Sequence, residues 1–203
     1  MYKELYKTTT FTEIARIVEP GSRVLDLGCG DGALLDLLEK VKKVSGLGID
    51  IDEEAVVGAL ERGITAVCED FDSALTHYKK SMYDYVILSQ TLQVVKRPDH
   101  LLSEIVRVGK KAIVTFPNFA YYRVRLRLMF GGRMPKSKIL PWEWFNTPNI
   151  HLLTINDFRN FCRTHGIRIL KAVYFGSKVR RRAVSLLSNL LSEEALFVIE
   201  RKK

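Results

Sequence analysis

Residues 22–32 read Ser-Arg-Val-Leu-Asp-Leu-Gly-Cys-Gly-Asp-Gly. Val24-Leu25-Asp26-Leu27 is a buried-strand pattern that runs directly into three alternate glycines, Gly28, Gly30 and Gly32. Ala33, Leu34, Leu37 and Leu38 then recur at the spacing of a helix face. A strand, a glycine turn and a helix in that order open a βαβ unit, and this passage sets the fold.

Outward from it, short apolar segments alternate with helical ones. Strands are expected at Ser22 to Leu27, Gly46 to Ile51, Thr65 to Cys68, Tyr83 to Leu88 and Lys111 to Phe116. Leu101, Leu102, Ile105 and Val106 form a second helical stripe, with a start signal at Pro98-Asp99 and a stop at Gly109. A helix from about Ile155 to His165, ended by Gly166, leads into strands near Ile167 to Phe175 and Ala195 to Glu200. The pattern predicts an α/β fold of Rossmann-like type, a mostly parallel sheet with helices on both faces. Neither repeat nor linker divides the chain, so residues 1–203 are expected to form one domain.

From residue 117 to 150 the alternation breaks. This segment holds four of the six prolines, Gly131-Gly132 and both tryptophans, and it reads as an insertion over the carboxyl edge of the sheet. Arg123, Arg125 and Arg127 alternate with Val124, Leu126 and Leu128, which suits a strand or a helix equally.

Composition bounds the function. With 47% hydrophobic residues the chain can bury a full core, and its three cysteines, Cys29, Cys68 and Cys162, are too few and scattered for a disulfide framework. A reducing cytoplasmic setting is therefore expected. Cys162 and His165 lack a second ligand pair and read as helix packing residues, so no metal is expected. The N-terminal residues carry charge without an apolar core, and no stretch is long enough to span a bilayer, so neither signal peptide nor membrane segment is expected. A net charge of +9 would suit acidic partners, although charge alone does not select nucleic acid.

Two cofactors use such a glycine turn. Gly28, Gly30 and Ala33 formally satisfy a dinucleotide pattern, but Asp26 and Asp31 would stand beside a dianionic pyrophosphate with no cation in the loop. S-adenosylmethionine carries an ammonium and a sulfonium instead, and carboxylates favour both. Asp50 ends the second strand, where an acid can accept both ribose hydroxyls, with Ile51 beside it. Asp70 and Phe71 end the third, where a carboxylate can accept from the adenine amino group and a ring can stack on the base. Asp26, Gly28, Cys29, Gly30, Gly32, Asp50, Ile51, Asp70, Phe71 and Ser89 make up the expected cofactor set.

These residues resemble the class I S-adenosylmethionine-dependent methyltransferases, whose first motif is an acid, any residue, then Gly-x-Gly-x-Gly. That resemblance implies a seven-stranded sheet with one antiparallel strand. Residues 22–32 (SRVLDLGCGDG), 84–98 (DYVILSQTLQVVKRP), 115–119 (TFPNF), 123–135 (RVRLRLMFGGRMP) and 145–154 (FNTPNIHLLT) together resemble the MetW family of methionine biosynthesis proteins. What this implies is a bacterial protein working with a homoserine O-acyltransferase of the MetX type, with no particular methyl acceptor. Ser89-Gln90-Thr91 departs from the Asn/Asp-Pro-Pro-aromatic motif of amino methyltransferases, which disfavours that chemistry.

Methyl transfer needs an aligned nucleophile, exclusion of water and sometimes a base. His151, Tyr121, Tyr122 and Asn118 are the candidates, each with a structural alternative: a hydrogen-bonded histidine, aromatic packing at the sheet edge, and a turn after Pro117. The arginines beside Trp142, Trp144 and Phe145 suit a protein interface or stacking on RNA. A second basic run, Lys178 and Arg180 to Arg182, reads as a solvated turn or a binding patch. An independent methyltransferase acting on a small molecule, or less readily on RNA, is the competing function.

Overall fold

In the computed structural model, residues 2–137, 140–176, 180–182 and 187–202 are described. In chain order the elements are α1 (Tyr2–Ile17), β1 (Arg23–Leu27), α2 (Ala33–Lys42), β2 (Ser45–Asp50), α3 (Glu53–Glu61), β3 (Ala66–Cys68), α4 (Phe71–Ala74), β4 (Tyr83–Ser89), α5 (Pro98–Val108) and β5 (Gly109–Pro117). There follow α6 (Tyr122–Gly131), α7 (Ile155–Thr164), β6 (Ile167–Phe175), β7 (Arg180–Arg182), α8 (Ser188–Leu191) and β8 (Glu194–Arg201).

The strands form one sheet in the order β3-β2-β1-β4-β5-β8-β6-β7. β1 to β5 run parallel, and β8 inserts antiparallel between β5 and β6. The expected seven strands with one antiparallel member are therefore present. β7 adds an eighth: the basic run Arg180 to Arg182, read as a turn, pairs antiparallel with Val173 to Phe175 at the sheet edge. Lys178 lies outside the described residues.

Alternation along the strands builds two cores, because successive side chains face opposite sides of a sheet. Leu25, Val86, Val114 and Phe197 join α5 and α7 on one face, whereas Val24, Tyr85, Ile113 and Leu196 join α1 and α2 on the other. Phe116, Phe158 and Phe197 form a closed aromatic cluster with centroid separations of 4.7–5.8 Å. The central strands are buried on both faces, as a sheet covered by helices requires.

The helix signals act as expected. Pro98 occupies the first turn of α5, and Thr154 caps α7 by accepting from the Asp157 N–H. Cys162 is buried on the core face of α7, and the His165 ring stacks on Phe161 at 3.9 Å. The ambiguous arginine stretch is a helix, α6, ended by Gly132 in the left-handed conformation. α3 fills the interval between β2 and β3 that the alternation leaves for a helix, whereas α1 and the short α4 and α8 were not anticipated. Among the described residues no helix is long and apolar enough to cross a membrane, and no group of three or more His, Cys, Asp or Glu residues can hold a metal ion.

Candidate functional site

The candidate cofactor residues gather at the carboxyl ends of β1, β2, β3 and β4, which are adjacent in the sheet. The turn after β1 is held from within. Gly28 and Cys29 donate their N–H groups to Ile49 O at 2.8 and 3.2 Å, and Gly32 donates to Cys29 O at 3.1 Å. Gly30 N–H donates to Asp50 Oδ2 at 2.7 Å. These amides are committed to the protein, so this turn is not the open N–H cradle that a pyrophosphate requires.

Asp26 is 2% exposed, and its Oδ1 has no hydrogen-bond partner. Burial, followed by repulsion from Asp50, pushes its carboxyl up to about 7. A buried acceptor without a donor carries a desolvation cost that a bound donor relieves. A cationic ligand group suits this position, because it would satisfy Oδ1 and offset the repulsion.

Asp31 is oriented differently. Arg62, immediately after α3, pairs with Asp31 Oδ2 at 2.7 Å and donates from Nε to the Asp31 carbonyl at 2.9 Å. The loop itself carries no cation, but an arginine 31 residues away arrives beside it through the fold. The repulsion argument consequently rests on Asp26 and Asp50.

Asp50 Oδ1 also accepts from the Asp52 N–H at 3.1 Å, so this carboxylate fixes the turn as well as facing the site. Ile51 beside it is 67% exposed, an apolar surface at the strand end. Asp70 leads into α4, its carbonyl accepting from the N–H groups of Ser73 and Ala74, and Phe71 is half-buried at the helix start. Ser89 Oγ lies 3.3 Å from Thr115 Oγ1. Cys29 is buried against β2 at Gly48, and burial raises its thiol to about 12. Its backbone, rather than its sulfur, belongs to the turn.

The candidates for catalysis are not brought together as one constellation. Asn118 is 2% exposed and ties three segments: Nδ2 donates to Asn189 O and Ser192 O, and Oδ1 accepts from Ala120 N and Ile155 N. Tyr121 is buried with Val124 and Leu140, edge-on to Tyr122. The His151 ring lies 2.9 Å from Val95 O through Nε2, and the His151 backbone N–H donates to Gln93 O at 3.1 Å, fastening the chain here beside the end of β4.

A buried polar cluster at the same edge escaped sequence reading. Glu194, 2% exposed at the start of β8, accepts from Gln90 Nε2 at 2.6 Å and from Thr10 Oγ1 of α1 at 3.1 Å. Burial pushes its carboxyl up to about 7 against the lowering effect of those bonds. Gln90 has φ of 57°, a left-handed conformation uncommon outside glycine, at the tip of β4. The one local signal was a glutamate ahead of the apolar run Ala195 to Ile199; its partners lie 104 and 184 residues away.

The fold matches solved methyltransferases. An S-adenosylmethionine-dependent methyltransferase from Archaeoglobus fulgidus superposes with a TM-score of 0.70 at 17% identity, covering 99% of this chain and 100% of that one. Magnesium protoporphyrin IX methyltransferase from Synechocystis, solved with bound S-adenosylmethionine, gives a TM-score of 0.59 at 16% identity over 96% and 79%. At such identities the likeness speaks for the fold alone.

Sequence comparison goes further. The chain is 36% identical over 171 residues to the bifunctional methionine biosynthesis protein MetXA/MetW of Rhodopirellula baltica, covering 80% of this chain and 27% of that protein. It thus spans about a quarter of that relative's length. The model of the family described as methionine biosynthesis protein MetW matches residues 8–199, through the turn, the insertion and β8 alike, and the chain belongs to that family.

Proposed function

We propose that this MetW-family chain binds S-adenosylmethionine at the carboxyl edge of β1 to β4 and acts with a homoserine O-acyltransferase of the MetX type, as its partner or regulator. The observation that carries the cofactor reading is Asp26: a buried carboxylate whose Oδ1 lacks a donor, beside a second acid. In this reading Asp26 holds a cationic group, Asp50 accepts the ribose hydroxyls, Asp70 accepts from the adenine amino group, and Ile51 and Phe71 flank the base. The turn Gly28-Cys29-Gly30 and Ser89 supply the adjoining walls. The cofactor, when bound, would supply a sulfonium-activated methyl group.

The partner reading is supported by the relative in which MetXA and MetW are joined in one protein. S-adenosylmethionine is made from methionine, so its binding here can report the output of the pathway. Calorimetric titration with S-adenosylmethionine, alone and with the acyltransferase, tests both parts. Saturable binding that changes partner affinity or acyl transfer is expected. No heat at millimolar cofactor would overturn the site, and binding without effect on the acyltransferase would overturn the regulation.

Glu194 favours a second reading, an independent small-molecule methyltransferase. It is a buried acid at the carboxyl edge, bonded to the tip of β4 through Gln90. Formation of S-adenosylhomocysteine with a defined acceptor would establish it.

A further inference from the structure

The insertion turns one side inward and leaves the other bare. α6 buries Val124 with Tyr121 and Leu140, yet every residue from Arg125 to Gly131 is exposed. Phe130 is 79% exposed and Met129 67%, with Leu126 and Leu128 also at the surface. A ten-residue helix with so little buried surface is marginal by itself in water, because isolated helices shorter than about 12–15 residues rarely hold.

The loop beyond α6 adds to the same surface. Arg127 bonds to the Lys136 carbonyl, and Lys136 pairs with Glu143, which links the helix to the Trp142–Phe145 stretch. There Trp144 is 75% and Phe145 68% exposed, their rings edge-on at 5.6 Å. A cavity of about 250 Å³ lies under this surface, walled by Phe119, Met134, Leu140, Trp142, Trp144 and Leu152. Large apolar side chains exposed in such number over a short stretch mark interaction surfaces, and Trp, Phe, Met and Arg are the residues enriched at interface centres.

Charge narrows the occupant. Between residues 118 and 153 stand Arg123, Arg125, Arg127, Arg133, Lys136 and Lys138 against a single acid, Glu143. The complementary surface is apolar with an acidic rim. In the Rhodopirellula baltica relative the region similar to this chain shares a polypeptide with a MetXA part, so a fixed companion is already at hand.

We infer that the outer face of α6, with the Trp144–Phe145 loop, is the surface on which the homoserine O-acyltransferase docks through an apolar patch ringed by acids. The inference rests on the partner reading and locates it on the molecule. It places docking on residues 122–145, none of which belongs to the expected cofactor set.

The test uses the whole chain and the purified acyltransferase, with affinity measured by interferometry. F130D/W144D should weaken association at least about tenfold. R133E, which leaves the apolar face intact, should weaken it less and in a salt-dependent way. V41D on α2, at an exposed apolar position outside the patch, should change nothing. Circular dichroism and S-adenosylmethionine titration should match wild type for every variant. Full association by folded F130D/W144D would overturn the surface while leaving the partnership intact; no association by wild type would overturn both. A wild-type homodimer dissolved by F130D/W144D without loss of acyltransferase binding would assign the face to a second copy. Binding to anionic vesicles lost in the same variant, with acyltransferase binding kept, would assign it to a lipid surface.

Discussion

Thr91 occupies the space that a side chain at Gly28 would need: an ideal Cβ there would stand 2.5 Å from Thr91 Oγ1 and 2.9 Å from its Cγ2. Thr91 is itself fixed, donating to Leu27 O at 3.3 Å or Ser89 O at 3.1 Å, so the tip of β4 is fitted against the turn after β1. The ends of β1 and β4 are thus joined by this contact as well as by the pairing of Leu27 with Leu88.

Gly28→Ala should destabilise the fold by about 2–4 kcal/mol, combining steric overlap with the strain of φ at +76°. Gly30 also has a positive φ, but nothing lies within 4 Å of a Cβ there, so Gly30→Ala should cost only about 1–2 kcal/mol. Urea denaturation ranks the two. Thr91→Ala should recover part of the first loss and none of the second.

Asp26 and Glu194 both have folded-state values near 7, raised from 3.8 and 4.5. The folded protein thus binds more protons than the unfolded chain between those limits. Stability should fall as pH rises from about 4 to 7 and level off above. Glu194→Gln should remove part of this slope; a profile unchanged by that substitution would show that Glu194 is not one of the titrating groups.

A cationic cofactor favours the ionised form of Asp26, so affinity for S-adenosylmethionine should rise with pH through neutrality and binding should release protons. Titrations in buffers of different ionisation enthalpy measure that release. Asp26→Asn should weaken binding and abolish the proton release together.

Asn118→Ala should cost about 2–4 kcal/mol, because it strands buried partners on both sides of the amide. Cofactor affinity, measured on the folded fraction, should be unchanged. A loss of methyl transfer without loss of stability would return Asn118 to a chemical role.

Arg62→Ala should change stability by less than about 1 kcal/mol, since its pair with Asp31 is largely exposed. It should modestly strengthen cofactor binding by removing a cation beside the turn. Weaker binding would mean that Arg62 organises the loop.

How much of this was legible depends on where the partners lie in sequence. Strand ends, the turn and the stripes of α2 and α5 are local patterns, and they emerge close to their expected bounds. α6 stayed ambiguous because its arginines alternate at period two while only Val124 is buried, so burial left no helical stripe. Thr10, Gln90 and Glu194 come together from three distant segments, and no spacing in the chain announces them. Arg62 was hidden likewise, its pairing with Asp31 set by the return of α3 alongside the turn.

The position of β8 has a consequence for biosynthesis. It lies between β5 and β6 and fixes α1 through a contact spanning 184 residues. While the ribosome is still adding residues before 194, β5 and β6 lack their common neighbour, and Thr10 of α1 lacks its buried carboxylate partner. The nascent sheet therefore carries two unpaired hydrogen-bonding edges until almost all of it has been made, the interval in which an emerging chain is most exposed to wrong pairing and to chaperones.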